Sequence, residues 1–140
     1  MTLFHLDTPD RLLVRIAAAA MMVIHGVART YLGIVNAFGG FLASQGLPAG
    51  EVIAWTLTVV EIAGGLALAA GHFRRPLALW FAVELAVGIA LVHRHSGWFV
   101  VGAGTGGMEF SVLLIVTFLA VAWRGAPAPG SPRLFGRDVR

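Results

Sequence analysis

The chain contains no cysteine and no lysine, and only 12% of its 140 residues are charged. Without cysteine, disulfides, thiolate metal sites and thiol–disulfide exchange are excluded. The scarcity of charge argues against a soluble domain, which usually carries about 25% charged residues to cover its core. All ten basic residues are Arg, and they set a net charge of +3 and a pI near 11.1. Nucleic acid is not the implied partner. That would need a basic face on a folded surface, and these arginines stand at the edges of apolar runs. A cleavable signal peptide is not expected either, because the first apolar run is long, contains Arg29 and has no small-residue cleavage site after a short core.

What the chain has in quantity is apolar sequence: 58% of its residues are hydrophobic and its mean hydropathy is +0.84. Four runs approach the ~20 residues needed to cross a hydrocarbon core, at 12–38, 52–70, 77–92 and 108–123. The last two are short, so their flanks contribute. All four are apolar around most of their circumference, as lipid-facing helices are. Lipid offers backbone N–H and C=O groups no partners, which makes each span helical. The expected fold is an all-α integral membrane four-helix bundle over residues 1–124, followed by a disordered cytoplasmic tail over 125–140.

The connections carry their own signals. His72 to Pro76 is a tight basic turn, with Pro76 suited to the first turn of the next helix. Gly39 to Gly50 is uncharged and Gly-rich, with a short interfacial helix expected at Phe41–Ser44 and Gly46-Leu-Pro48 as a stop. His93 to Gly107 is Gly-rich and carries Trp98 and Phe99, residues that favour the headgroup level. Arg11, Arg15, Arg74, Arg75, Arg124, Arg133, Arg137 and Arg140 fall on one side of this arrangement. The opposite loops hold only Arg94, and Arg29 lies within the first span. The positive-inside rule then puts both termini in the cytoplasm.

Ionisable groups inside a bilayer cost roughly 2.5–3.5 kcal/mol each on insertion scales, so each needs a reason to be there. The candidates are His25, Arg29, Glu61, Glu84 and Glu109. His25 and Arg29 are four residues apart and share a helix face. Counting about 1.5 Å per residue places His25, Glu61 and Glu84 near mid-membrane, with Arg29 a turn further out and Glu109 at the outer interface. An inward-facing polar cluster of His25, Arg29, Glu61 and Glu109, joined by Glu84, is the expectation. Buried ion pairs also serve helix register alone, and that is the competing account. Acids outnumber the single cation expected inside, so charge balance calls for a protonated glutamate or a charged His25, the side chain most easily switched. Gly64 and Gly65 stand on the face of Glu61, where small residues let another helix approach.

Other patterns carry less. Gly102, Gly104 and Gly107 fit G-x-G-x-x-G formally, but no βαβ unit surrounds them. His93 and His95 lack a third ligand, so no metal is expected. His25 and His93 differ in depth by several turns, which argues against haem. Trp55, Trp80 and Phe81 are of a type that lines quinone pockets, and equally of a type that faces lipid or core.

The ordered set Arg15…His25-Gly26…Arg29, Gly46-Leu-Pro48, Glu61…Gly64-Gly65…Gly71…Arg74-Arg75, His93…Gly97-Trp98-Phe99 and Gly106-Gly107-Met108-Glu109 resembles the DoxX family of small four-span bacterial membrane proteins. In that resemblance Arg29, Glu61 and Glu109 take the places of the family's basic residue after His-Gly, its acid before the paired glycines, and its acid opening the fourth helix. Glu84 departs from a usually apolar position, Met108 from a usual aromatic, and the tail lacks the common Ser-Leu-Asp ending. The resemblance implies the bacterial cytoplasmic (inner) membrane and redox chemistry, since relatives include the DoxD subunit of thiosulfate:quinone oxidoreductase and membrane partners of redox-defence enzymes. Without cysteine, flavin motif or bis-histidine pair, the chain is expected to have no redox centre of its own. It would supply a quinone or proton site to a soluble redox enzyme partner. The alternatives are a non-enzymatic binder or transporter, and an anchor or assembly factor; a homo-oligomer is compatible with all of them.

Overall fold

The computed structural model describes residues 8–124, and the expected tail at 125–140 lies outside them. The described chain is all helical, with five helices: α1 (Pro9–Tyr31), α2 (Val35–Ser44), α3 (Gly50–Ala69), α4 (Arg74–Leu91) and α5 (Glu109–Arg124). No strand occurs among the described residues. Two of these helices, α1 and α3, are long and apolar enough to cross a membrane.

The first expected span, 12–38, is divided. After Leu32 the chain turns at Gly33 (φ +67°), where Ile34 N–H donates to the Arg29 carbonyl and Gly33 N–H to that of Thr30. This pair of bonds closes a helix C-terminus on a left-handed residue, which glycine adopts without steric cost. The chain then re-enters a helix as α2 instead of extending α1. The same device ends α3 at Gly71 (φ +88°), with His72 N–H bonded to Ala67 O and Gly71 N–H to Leu68 O. Arg15 reinforces that end by donating from Nη1 to the carbonyls of Leu68 and Ala69 at 2.7 and 2.8 Å. A cation there neutralises the negative end of the helix dipole. Arg15 is thus buried, although its sequence position puts it with the arginines of the inner face.

Helix α1 packs against α3 and α5, α4 packs along α5, and α2 lies on the first half of α3. The main core joins Ala18, Ala19 and Met22 of α1 to Leu68, Ala78, Phe81, Ala82, Leu114, Phe118 and Ala122. Phe81 and Phe118 meet at 5.3 Å between ring centroids. A smaller cluster of Val35, Leu42 and Ala54 seats α2 on α3. Outside these seams the helices expose large apolar side chains, among them Ile24, Leu66, Val83, Leu113 and Val116. Hydroxyls within the helices are satisfied internally: Thr30, Thr56, Thr58 and Thr117 each donate to the carbonyl four residues back.

Candidate functional site

The centre of the fold holds a polar cluster where α1 and α3 touch. On α1 the residues Arg15, Ala18, Ala19, Met22, Gly26 and Arg29 are buried, so this stripe faces the rest of the chain. It comes close to α3 at Gly26, where a Cβ would meet Ile62 Cγ1 at 2.9 Å, Thr58 O at 3.0 Å and Glu61 Cβ at 3.1 Å. On the opposite helix, residues Val60–Gly64 form a single π turn inside α3. Such turns insert an extra residue and often mark functional positions. This one carries Glu61 and ends at Gly64, with Gly65 next: Gly65 packs against Ala19 and Val23 of α1, and Gly64 against Leu77 and Phe81 of α4.

One turn beyond Gly26, Arg29 reaches across this contact. Its Nη1 donates to Glu61 Oε2 at 2.9 Å and its Nη2 to Glu61 Oε1 at 3.0 Å, a planar fork on a carboxylate. Nη1 also donates to Thr58 Oγ1 at 2.9 Å, and the Thr58 hydroxyl donates onward to Ala54 O. All three side chains are buried, with Arg29 8%, Glu61 3% and Thr58 1% exposed. Phe38 of α2 covers the guanidinium, its ring centroid 4.5 Å from Arg29 Cζ. The turn at Gly33 is therefore what brings an aromatic face onto the buried cation, a cation–π contact.

Glu84 of α4 completes the cluster. Its carboxyl interacts with that of Glu61 and lies beside Trp80 one turn back on the same helix. Glu84 is half-buried, and its Oε2 is fully enclosed with no hydrogen-bond partner. Trp80, in contrast, is exposed at the outer surface of α4. The cluster thus borders the molecular surface along α4, and one carboxyl oxygen inside it has no donor.

The structure does not bring the other two expected residues here. At about 100° per residue, His25 falls roughly 70° to one side of the centre of the buried α1 stripe, and it is exposed. Four-residue spacing put it on the face of Arg29, but the helix seam runs through Gly26 instead. Glu109 starts α5 and accepts from Val100 N–H at 2.9 Å, holding the loop before its own helix. It borders an open apolar recess with Val100, Val101, Phe110 and Leu113, away from Arg29. Of the aromatics, Phe81 is core, Trp55 donates from Nε1 to Asn36 Oδ1 of α2, and Trp80 alone stands at the cluster. His93 donates from Nδ1 to Gly106 O at 2.8 Å. Among the described residues no three His, Cys, Asp or Glu side chains gather in a metal-binding arrangement.

Sequence reasoning missed Thr58 and Phe38. Thr58 was open to view, as a polar residue in an apolar span three positions before Glu61. Phe38 was hidden, because its role depends on the chain reversing at Gly33.

The family model described as DoxX matches residues 11–94, which span α1 to α4 and include Arg29, Thr58, Glu61 and Glu84. The chain belongs to the DoxX family. Members of the DoxX family are membrane proteins often linked to redox chemistry. The match stops before α5, so Glu109 lies outside it. Comparison with curated proteins and with solved structures gave no significant match.

Proposed function

We propose that the protein is a membrane subunit of a quinone-linked redox system, crossing the bacterial cytoplasmic membrane four times, and that the Arg29–Glu61–Glu84 cluster is its small-molecule site. The exposed apolar side chains on every long helix support the bilayer as surroundings. Exposed aromatics gather at both ends, with Tyr31, Trp98 and Phe99 at one and Phe73 and Trp123 at the other. Such girdles mark the two interfaces. The arginine asymmetry puts Phe73 and Trp123 on the cytoplasmic side.

The observation that carries the ligand reading is the Glu84 carboxyl oxygen, enclosed beside the Arg29–Glu61 pair without a donor. A buried polar atom left unpaired costs about 1–3 kcal/mol, which a purely structural ion pair gives no reason to bear. The exposed Trp80 one turn away on the same helix supports a ligand that arrives from the bilayer. A quinone, when bound, supplies a two-electron, two-proton carrier. Glu84 and Trp80 would hold its head group, with Glu84 as the titratable group at hand. Arg29 and Thr58 fix the position of Glu61, and Glu61 in turn sets the electrostatic surroundings of Glu84.

The test is equilibrium binding of a short-chain quinone analogue to the purified protein in detergent. The wild type should bind saturably, Glu84→Leu should lose most of that binding, and His25→Phe should retain it. No saturable binding by the wild type, or equal binding by Glu84→Leu, would remove the quinone reading. Co-purification of a soluble dehydrogenase without quinone would favour an anchoring role instead.

A further inference from the structure

The turn between α3 and α4 gathers two guanidinium groups from different helices. Gly71, left-handed at φ +88°, leaves bare backbone there, and a Cβ on it would meet Arg15 Nη1 at 2.9 Å and Arg74 Nη2 at 3.2 Å. Arg15 of α1 is buried and donates to Leu68 O and Ala69 O. Arg74, the first residue of α4, is half-buried and donates from Nε to Gly71 O at 3.2 Å. The surroundings carry the same sign. Among the described residues of this face, Arg11, Arg15, Arg74 and Arg75 stand against one acid, Asp10, which is exposed and lies beside Thr8 and Arg11.

We propose that the Gly71 turn is a phosphate site, occupied by the phosphodiester of an anionic phospholipid from the cytoplasmic leaflet. Arg74 is the group that touches the phosphate, and Arg15 stands behind it as a fixed positive charge. The planar fork of an arginine suits phosphate oxygens, and basic pockets between membrane helices on the cytoplasmic side bind anionic headgroups. Depth selects the lipid as the source. Phe73, next to Arg74, is 74% exposed, and Trp123 is exposed at the same end. Aromatics in such positions mark the headgroup level, where lipid phosphates are held at high local concentration. Arg75 is exposed and contributes only to the general surface potential, which decays within a Debye length. The inference rests on the membrane placement given above and is independent of the Glu84 ligand site.

The test is thermal unfolding of the purified, delipidated protein in a neutral detergent. It is titrated separately with dioleoyl phosphatidylglycerol, dioleoyl phosphatidylcholine and inorganic phosphate. A ligand that binds the folded state raises the melting temperature. Phosphatidylglycerol should raise it saturably, and the other two should raise it far less. Arg74→Gln should lose most of that shift, whereas Arg75→Gln, with the same change in net charge, should keep it. Native mass spectrometry of the same samples counts bound lipid directly, so a lower starting stability of Arg74→Gln does not obscure the comparison. Equal shifts with phosphatidylglycerol and phosphatidylcholine would overturn the site. A full shift with inorganic phosphate would assign it to a soluble anion and overturn the lipid. Equal losses in Arg74→Gln and Arg75→Gln would reduce it to surface charge and overturn the role given to the turn.

Discussion

Arg29 and Glu61, thirty-two positions apart in the chain, are joined by two hydrogen bonds of 2.9 and 3.0 Å across the contact between α1 and α3. Removing one member leaves the other charge buried and uncompensated, which typically costs about 3–5 kcal/mol. Arg29→Ala and Glu61→Ala should each lower the melting temperature in detergent sharply, whereas Arg75→Ala, at an exposed position, should leave it nearly unchanged. The double variant Arg29→Leu/Glu61→Leu should recover much of the loss, because no charge is then left alone. Equal effects of Arg29→Ala and Arg75→Ala would show that the pair contributes nothing to the fold.

The neighbouring helix contact makes a second contrast. A Cβ on Gly26 meets α3 backbone and side chain within about 3 Å, while one on Gly88 in α4 meets nothing within 4 Å. Overpacking a tight contact usually costs about 1–3 kcal/mol, so Gly26→Val should destabilise by that order. Gly88→Ala should instead stabilise by roughly 0.5–1 kcal/mol, through lower chain entropy in the unfolded state and better helix propensity. Thermal unfolding of the two variants in one detergent checks both signs, and a stabilising Gly26→Val would refute the close approach.

The sequence made the helical elements legible because lipid-facing helices need continuous apolar runs. The expected 52–70, 77–92 and 108–123 stand beside helices at Gly50–Ala69, Arg74–Leu91 and Glu109–Arg124. The first run misled because α2 is as apolar as the end of α1, and only the left-handed Gly33 separates them. Arg29 and Glu61 stood out as charges inside apolar sequence. Which partner Arg29 takes was not legible. Choosing Glu61 over Glu109 depends on the π turn in α3 and on the loop that occupies Glu109. His25 was misplaced for a simpler reason: residues 25 and 29 share a face, but that face is wider than the buried seam.

Topology gives a third prediction, motivated by the arginine asymmetry. Reporter fusions after Arg75 and after Arg124 should report a cytoplasmic location, and fusions at Gly46 and Ser96 an external one. The Gly46 fusion is the most informative, because it follows α2 and precedes α3. A cytoplasmic signal there would mean that α1 and α2 together return to the side from which α1 entered, and the four-span arrangement would fail.

The last prediction concerns Glu84, where stability and ligand binding should move in opposite directions. Its Oε2 is enclosed without a hydrogen-bond partner, so the folded protein bears a desolvation cost at this point. Leucine is close in volume, keeps contact with the surrounding apolar side chains and removes the unpaired oxygen. Replacing an unsatisfied buried group in this way relieves a penalty of about 1–3 kcal/mol. Glu84→Leu should therefore raise the melting temperature in detergent while it lowers affinity for the quinone analogue, as expected when a strained polar group is kept for function. Glu84→Gln retains the size and an acceptor but loses the titratable proton, and should bind the analogue while failing to support any proton-coupled turnover with a partner enzyme. A fall in melting temperature on Glu84→Leu, comparable to that of Glu61→Ala, would show Glu84 to be a structural member of the ion-pair cluster, with no role of its own in a ligand site.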